Sequence, residues 1–141
     1  MSKQLSKGYN DQLQTKPLNN IVLIQQLKAA IVNQCYPLEM SKKAEGCLEF
    51  VVRGGELGIN YISDERDLSP ESYNLESPTQ NNSIGMSRKG LKTMLFILES
   101  VLQDTDYIDY ATILVYYSVA ENGEYATGKL SVRRGIHHPR Y

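Results

Sequence analysis

Tyrosines and cations alternate along one side of the last hairpin that the sequence predicts. A tyrosine ring offers a face on which a nucleobase can stack, and lysine and arginine can neutralise phosphate. The same side chains also occur on ordinary wet strand faces, and tyrosine and arginine are favoured at protein interfaces. The candidate ligand-binding residues of this hairpin are Tyr110, Tyr116, Tyr125, Lys129, Arg133 and Arg134.

A second cluster of interest stands directly before a stripe of leucines, where a helix is expected to begin. Its residues Ser87, Arg88 and Lys89 lie between Gly85 and Gly90. The free backbone amides and the dipole of a helix N-terminus favour an anion, and the two cations add positive charge. We therefore expect phosphate to bind at this helix start, although a capped helix with solvated cations explains the same residues. The glycine spacing is not that of a P-loop.

Catalytic and metal-binding chemistry is poorly represented in the chain. The two histidines, His137 and His138, are adjacent, and neighbours on an extended chain point to opposite sides. The two cysteines, Cys35 and Cys47, fall on elements that we expect to be buried or half-buried, where a thiol is normally inert. No nucleophile with a base within reach is recognisable. We expect a protein that is not an enzyme and that holds no metal or cofactor.

Two helices are predicted to support these surfaces. The first covers about 20–35, begins at a capping Asn19 or Asn20, and ends before Pro37, which breaks helical hydrogen bonding. The second covers about 88–103 and is capped by Ser87. Its apolar stripe follows helical spacing through Leu91, Leu95, Leu98 and Leu102.

Two hairpins complete the predicted elements, one over 46–63 and one around Asn122-Gly123. Gly54-Gly55 and Asn122-Gly123 both favour tight turns, because these residues tolerate positive φ. Counting outward from a turn gives the cross-strand partners. The first core face pairs Val52 with Leu57, Phe50 with Ile59, and Leu48 with Tyr61; the second pairs Val119 with Ala126, Tyr117 with Gly128, Val115 with Leu130, and Ile113 with Val132.

Register then decides which side chains share a face in each hairpin. On the second hairpin we expect the ring of Tyr117 to cover the gap left by Gly128. Tyr125 is expected on the outer face with Tyr116 and Lys129.

The order of elements predicts an α+β fold. The chain runs α-β-β-loop-α-β-β, and such a set buries its apolar faces best as a two-layer sandwich, with two helices on one face of an antiparallel sheet. The acidic loop 64–82 could hide a short fifth strand. Around a single domain at 18–135 we expect a flexible leader at 1–17 and a basic tail at 136–141.

Composition narrows the class of partner. Fifteen basic and sixteen acidic residues give a net charge of -1, which counts against binding extended duplex nucleic acid. No apolar run approaches the ~18 residues of a membrane span, the N-terminus has no secretory apolar region, and two cysteines make no disulfide framework. We therefore expect a cytoplasmic protein without a membrane partner.

Two functions remain open from the sequence. The leading hypothesis is a non-catalytic binding protein for a phosphate-bearing ligand, either a nucleotide or a short single-stranded nucleic acid. The alternative is a protein-interaction module, such as an inhibitor, an immunity-type partner or a chaperone-like homodimer, that uses the same tyrosine-rich face and the acidic loop. Open strand edges invite pairing with a second subunit, so we expect a homodimer.

Overall fold

Two helices and a four-stranded sheet organise residues 18–63, 68–70 and 84–135, the parts of the chain that the computed structural model describes. The leader, most of the acidic loop and the tail lie outside these residues. In chain order the elements are α1 (Ile21–Ala30), a π-helical segment (Ile31–Met40), β1 (Glu45–Arg53), β2 (Glu56–Ile62), α2 (Arg88–Gln103), β3 (Tyr110–Val119) and β4 (Tyr125–Arg134).

The four strands form one antiparallel sheet in the order β2-β1-β3-β4, so β2 and β4 are its edges. Both helices lie on the same face, with α1 over β2 and α2 over β4. The predicted α+β fold with two layers is therefore confirmed. We call the helix-covered side of the sheet the inner face and the opposite side the outer face.

The first helix extends further than the sequence predicts. Its α-helical part ends at Ala30, but the chain continues as a π-helix through Pro37 to Met40. The prediction that Pro37 ends the helix is wrong. In an α-helix the proline ring clashes with the carbonyl four residues before it, and the wider i to i+5 spacing moves that carbonyl away. The wide turn is completed by the Ser41 amide, which donates to the carbonyl of Tyr36 at 2.9 Å.

The second helix begins and ends as predicted. Ser87 caps it, because its hydroxyl oxygen accepts a hydrogen bond from the Gly90 amide at 3.0 Å. Its buried residues are Gly90, Leu91, Met94, Leu98 and Leu102, which face the core shared with α1 and the sheet. An ion pair of 2.6 Å between Lys28 and Glu99 joins the two helices.

The register of the first hairpin differs from the prediction. The turn at Gly54-Gly55 has positive φ at both glycines, and Val52 pairs with Leu57 as expected. A β-bulge then follows between Val51 and Val52. Beyond it the predicted pairs are wrong by one residue: Phe50 pairs with Asn60 and Leu48 with Ile62.

The bulge has a simple consequence for the first hairpin. A shift of one residue turns every later side chain to the other side of the sheet. Ile59 and Tyr61 therefore leave the predicted core and stand on the outer face, opposite Val51 and Glu49.

The second hairpin keeps the predicted register over most of its length. Ile113 pairs with Val132, Val115 with Leu130, and Tyr117 with Gly128. Only the pair nearest the turn is wrong, because a bulge between Ser118 and Val119 brings Val119 opposite Tyr125. Tyr125 consequently packs against the inner core and not among the outer tyrosines.

Two tyrosine rings fill the space above two glycines on the inner face. A Cβ added to Gly46 would lie 2.6 Å from the Tyr117 hydroxyl, and one added to Gly128 would lie 2.5 Å from the Tyr125 hydroxyl. The expected cover of Gly128 by Tyr117 is therefore wrong, since Tyr125 covers Gly128 and Tyr117 lies over Gly46. The glycines are needed because any larger side chain would displace these rings.

A buried amide ties the start of α1 to the connection between α2 and β3. Asn20 is 4% exposed, and its Nδ2 donates to the carbonyls of Leu102 at 3.1 Å and Thr105 at 2.9 Å. Its Oδ1 accepts from the Ile108 amide at 2.9 Å. Asn20 is the N-cap residue of α1, but its side chain makes no capping hydrogen bond there.

Over the described ranges, neither helix is both long and apolar enough to cross a membrane.

Candidate functional site

The outer face of the sheet is open in the described structure and carries several exposed apolar and aromatic side chains. Tyr110 is 53% exposed and Tyr116 is 38% exposed, and both stand on β3 with Lys129 and Arg133 beside them on β4. The predicted grouping of these four residues on one face agrees with the register. Ile59 and Tyr61, which are 48% and 50% exposed, extend the surface to β2.

Sequence reasoning placed Ile59 and Tyr61 in the core because it counted from the turn without a bulge. Gly58 is a signal that could have indicated the change, since glycine inside a strand often marks a bulge. With them the outer face becomes a surface that crosses all four strands. Half-buried Val51 and Leu114 lie between its exposed members.

Charges on the outer face are divided between its two sides. On β1 and β2 the register places three carboxylates, those of Glu45, Glu49 and Glu56, with one cation, Arg53. On β4 it places two cations, Lys129 and Arg133, and no acid. The face is thus acidic towards β2 and basic towards β4, with no uniformly positive groove.

Two of the outer tyrosines are paired with cations. The guanidinium carbon of Arg53 lies 5.4 Å from the ring centroid of Tyr110, and Nζ of Lys129 lies 5.1 Å from that of Tyr116. Both distances are within the range of a cation–π contact, worth about 0.5–1 kcal/mol at exposed sites. Each pair presents an aromatic ring and a positive charge together.

Two predicted binding residues are engaged elsewhere. Tyr125 packs on the inner core, where burial raises the pKa of its phenol. Arg134 pairs with inner-facing Ala111, and its guanidinium donates to the carbonyls of Tyr107 at 3.0 Å and Asp106 at 3.2 Å. The structure therefore leaves Tyr125 and Arg134 out of the outer face.

The helix start at Ser87 is occupied by the chain itself. The Ser87 amide donates to the Gly123 carbonyl at 2.8 Å, and the Gly90 amide is taken by the Ser87 hydroxyl. Lys89 lies 3.6 Å from a carboxylate oxygen of Glu124, and Arg88 stacks over the ring of Tyr36 at 5.8 Å. Two backbone amides of the predicted phosphate site at this terminus are therefore already hydrogen-bonded within the chain.

The two predicted cation clusters are also far apart. Ser87 contacts the turn that precedes β4, whereas Arg133 stands at the opposite end of that ten-residue strand. At about 3.4 Å per residue, most of the length of β4 separates Arg88 from Arg133. They do not form one site.

A cavity of about 880 Å³ lies where β1 extends beyond the end of β2. Its lining includes Tyr116 and Lys129 of the outer face and also reaches Glu39 of the π-helical segment. Glu39 is 3% exposed and was not among the predicted site residues. Sequence pattern gives no sign of it, because an isolated glutamate next to a proline-containing segment reads as a surface residue.

The Cys35 thiol and the Tyr117 phenol, which lie near Glu39, favour their protonated forms. Burial, reinforced by the negative charge of Glu39, raises the pKa of the Cys35 thiol to about 11. Burial and the same carboxylate also raise the pKa of Tyr117 far above its usual value. A protonated thiol and phenol are weak nucleophiles. Within the described parts of the chain, no group of three or more His, Cys, Asp or Glu side chains is arranged to hold a metal ion.

No protein-family model matches the chain, and neither a curated protein nor a solved structure matches it. A function for this protein therefore rests on the chemistry of its own surfaces.

Proposed function

We propose that the protein is a non-catalytic protein-interaction module that works as a homodimer through the outer face of its sheet. The observation that carries the proposal is the surface formed by Ile59 and Tyr61 of β2 with Tyr110 and Tyr116 of β3, which is exposed among the described residues. Large exposed apolar surfaces with a polar surround are typical of interaction sites. Tyrosine supplies much of the binding energy at such sites.

A second copy of the chain is the partner that the charges favour. When two such faces stack about a two-fold axis parallel to the strands, β4 of one copy lies over β2 of the other. The basic side of each face then meets the acidic side of its neighbour. Sheets that pack face to face in this way place the side chains between them in a layer about 10 Å thick.

A polypeptide partner fits this face better than a polynucleotide. Protein surfaces that bind nucleic acid are dominated by positive charge, because contacts with phosphate supply a large share of the affinity. Here the carboxylates of Glu45, Glu49 and Glu56 oppose Arg53, Lys129 and Arg133 in equal number on the outer face. A cytoplasmic location is part of the proposal, since a chain with only two cysteines has no disulfide framework and suits a reducing compartment.

The test is the molar mass of the protein by light scattering over a wide range of concentrations. We expect a dimer in the wild-type protein and a monomer in Ile59→Lys, because this cation on β2 would face Arg133 on β4 of the second copy. Phe96→Lys is the matched control, because Phe96 is 73% exposed on the helical side of the molecule. A wild-type protein that stays monomeric at high concentration contradicts the proposal.

The second candidate function is binding of a nucleotide or short single strand, and one observation favours it. Tyr110 with Arg53 and Tyr116 with Lys129 each combine a stacking surface with a cation. Base stacking contributes ~1–3 kcal/mol per base. Fluorescence polarisation with a labelled oligothymidylate tests this function, and affinity must fall as salt rises.

Two lysine variants distinguish specific oligonucleotide binding at the outer face from non-specific electrostatic binding. Lys129→Ala should weaken oligonucleotide binding several-fold, while Lys92→Ala, an exposed lysine on α2, should not. An affinity that does not change with salt concentration, or that both variants reduce equally, contradicts the proposal of nucleotide binding.

A further inference from the structure

The cavity beside the end of β2 contains a carboxylate that the described structure leaves incompletely bonded. Glu39 belongs to the π-helical segment, is 3% exposed, and lines the cavity with Lys43, Tyr117 and Lys129. Its Oε2 lies 3.5 Å from the Tyr117 hydroxyl, which donates to it, and 3.4 Å from Nζ of Lys43. Both distances are at the long end for charge-assisted contacts.

The other oxygen of Glu39, Oε1, is buried and makes no hydrogen bond to any of the residues that the structure describes. A buried carboxylate normally has its lone pairs satisfied, so an oxygen left without a donor needs a specific explanation.

The local sequence makes room for this carboxylate. A Cβ at Gly46 would stand 2.8 Å from Glu39 Oε2 and 2.6 Å from the Tyr117 hydroxyl. Glycine at this position therefore lets both polar groups lie close against the backbone of β1. The carboxylate can also present either oxygen to the cavity, because the terminal torsion of glutamate is broad and two-fold.

We propose that this cavity is a binding site for an ammonium or guanidinium group, which donates a hydrogen bond to Glu39. A carboxylate accepts hydrogen bonds only, so the missing partner must be a donor, and a positively charged donor gives the stronger bond. Lys43 supplies one donor at the rim but is 41% exposed and leaves Oε1 untouched. The ligand's cation approaches the carboxylate from the cavity.

The rest of the lining suits the body of such a ligand. Tyr116 lines the cavity and brings an aromatic ring to it. Glu45 adds a second carboxylate at the lining. The cavity shares Tyr116 and Lys129 with the outer face, so a monomeric variant is needed to test it apart from the homodimer.

The experiment titrates isotope-labelled protein with agmatine and follows backbone amide signals, with 1-butanol as the neutral probe of similar length. We expect saturable shifts at Gly46 with agmatine below about 10 mM, a range typical of weak single-group ligands, and none with 1-butanol. Glu39→Gln keeps the shape and removes the charge, and it should weaken agmatine binding roughly tenfold or more. Glu121→Gln is the control, because Glu121 is exposed and does not line the cavity, and it should change the affinity less than about threefold.

Several results would overturn the site: no saturation with agmatine, equal response to 1-butanol, or unchanged affinity in Glu39→Gln. Should Glu39→Gln not fold, the comparison of the two probes on wild-type protein still decides. Repeating the titration in Ile59→Lys separates this site from the outer-face interface, because a monomeric variant must still bind agmatine. A blocked Gly-Arg-Gly peptide that binds more tightly than agmatine identifies a protein side chain as the source of the cation, and the reverse order identifies a small molecule.

Discussion

Asn20 illustrates how one buried polar side chain can hold three segments together. Its amide joins the first turn of α1 to the carbonyls of Leu102 and Thr105 and to the amide of Ile108. Replacing it with alanine leaves these backbone groups without partners in the core. We expect Asn20→Ala to lower the free energy of unfolding by about 2–4 kcal/mol, from several lost hydrogen bonds at about 1 kcal/mol each and the cost of unsatisfied groups.

Urea unfolding followed by circular dichroism measures this loss. Asn33→Ala is the matched control, since Asn33 is exposed on the helical side and should change stability by less than about 0.5 kcal/mol. Equal effects of the two substitutions would contradict the role assigned to Asn20.

Cys35 predicts a specific dependence of stability on alkaline pH. Burial and the nearby Glu39 carboxylate raise the pKa of its thiol to about 11 in the folded protein. The folded state therefore holds the proton more tightly than the unfolded state does. The resulting stabilisation is fully present below the ordinary thiol value of 9.0 and is lost as pH rises towards 11.

The measurement for Cys35 is urea unfolding at a series of pH values between 8 and about 11. Wild-type stability should fall more steeply over this window than that of Cys35→Ala, even though the variant is less stable throughout. Tyr117 also has a raised pKa, and the main causes of that shift, burial and Glu39, are present in both proteins, whereas a smaller part comes from Cys35 itself. Parallel curves for the two proteins would show that Cys35 does not contribute.

At the scale of elements, the close packing of rings over glycines predicts unequal tolerance of substitution. A Cβ at Gly128 would meet the Tyr116 carbonyl oxygen and the Tyr125 hydroxyl, and the backbone atom cannot move aside. We expect Gly128→Ala to cost about 1–3 kcal/mol of stability. At Gly58 the nearest atom would be the Val51 carbonyl at 3.5 Å, an ordinary contact, so Gly58→Ala should be nearly neutral. Thermal unfolding of the two variants decides between these outcomes.

The elements also show how far sequence patterns reach in this protein. The leucine stripe and the Ser87 cap gave both ends of α2, and the two turns gave both hairpins, because these signals are local. The cross-strand pairs far from a turn can be counted correctly only if every residue between them and the turn is itself paired. The bulge at Val51 and Val52 broke that condition and moved Tyr61 to the outer face.

The residues of the candidate site could be predicted only where the register of the strands could be predicted. Tyr110, Tyr116, Lys129 and Arg133 follow from alternation along regular strands, and they share the outer face. Glu39 could not be found in this way. Its burial depends on a π-helix that passes through Pro37 and on a glycine of a distant strand, two features without a periodic pattern.

At the scale of the whole molecule, the described residues cover one face of the sheet and leave the other exposed. Both helices cover the inner face, while the outer face holds exposed tyrosines and separated charges. In the proposed homodimer, burial of that face supplies the free energy of association. The separation of charge then sets which arrangement of two copies is favoured, because like charges facing each other are costly.

Reversal of charge on one side of the face provides the sharpest test of the two-fold arrangement. Glu49 stands on the acidic side and Arg133 on the basic side, and stacking about an axis along the strands brings these sides together. Glu49→Lys alone and Arg133→Glu alone should each weaken the dimer roughly tenfold, because each creates like-charge contacts. The double variant should recover most of the loss, since opposite charges again face each other.

Dissociation constants from sedimentation equilibrium measure this coupling, and Lys92→Glu on the exposed side of α2 serves as the control. The effects of the single variants should shrink at high salt, because partly exposed charges are screened over about 8–10 Å at moderate ionic strength. If the double variant is as weak as the sum of the two single variants, the acidic and basic sides do not meet across the interface. The dimer would then have to form about a different axis or through a strand edge.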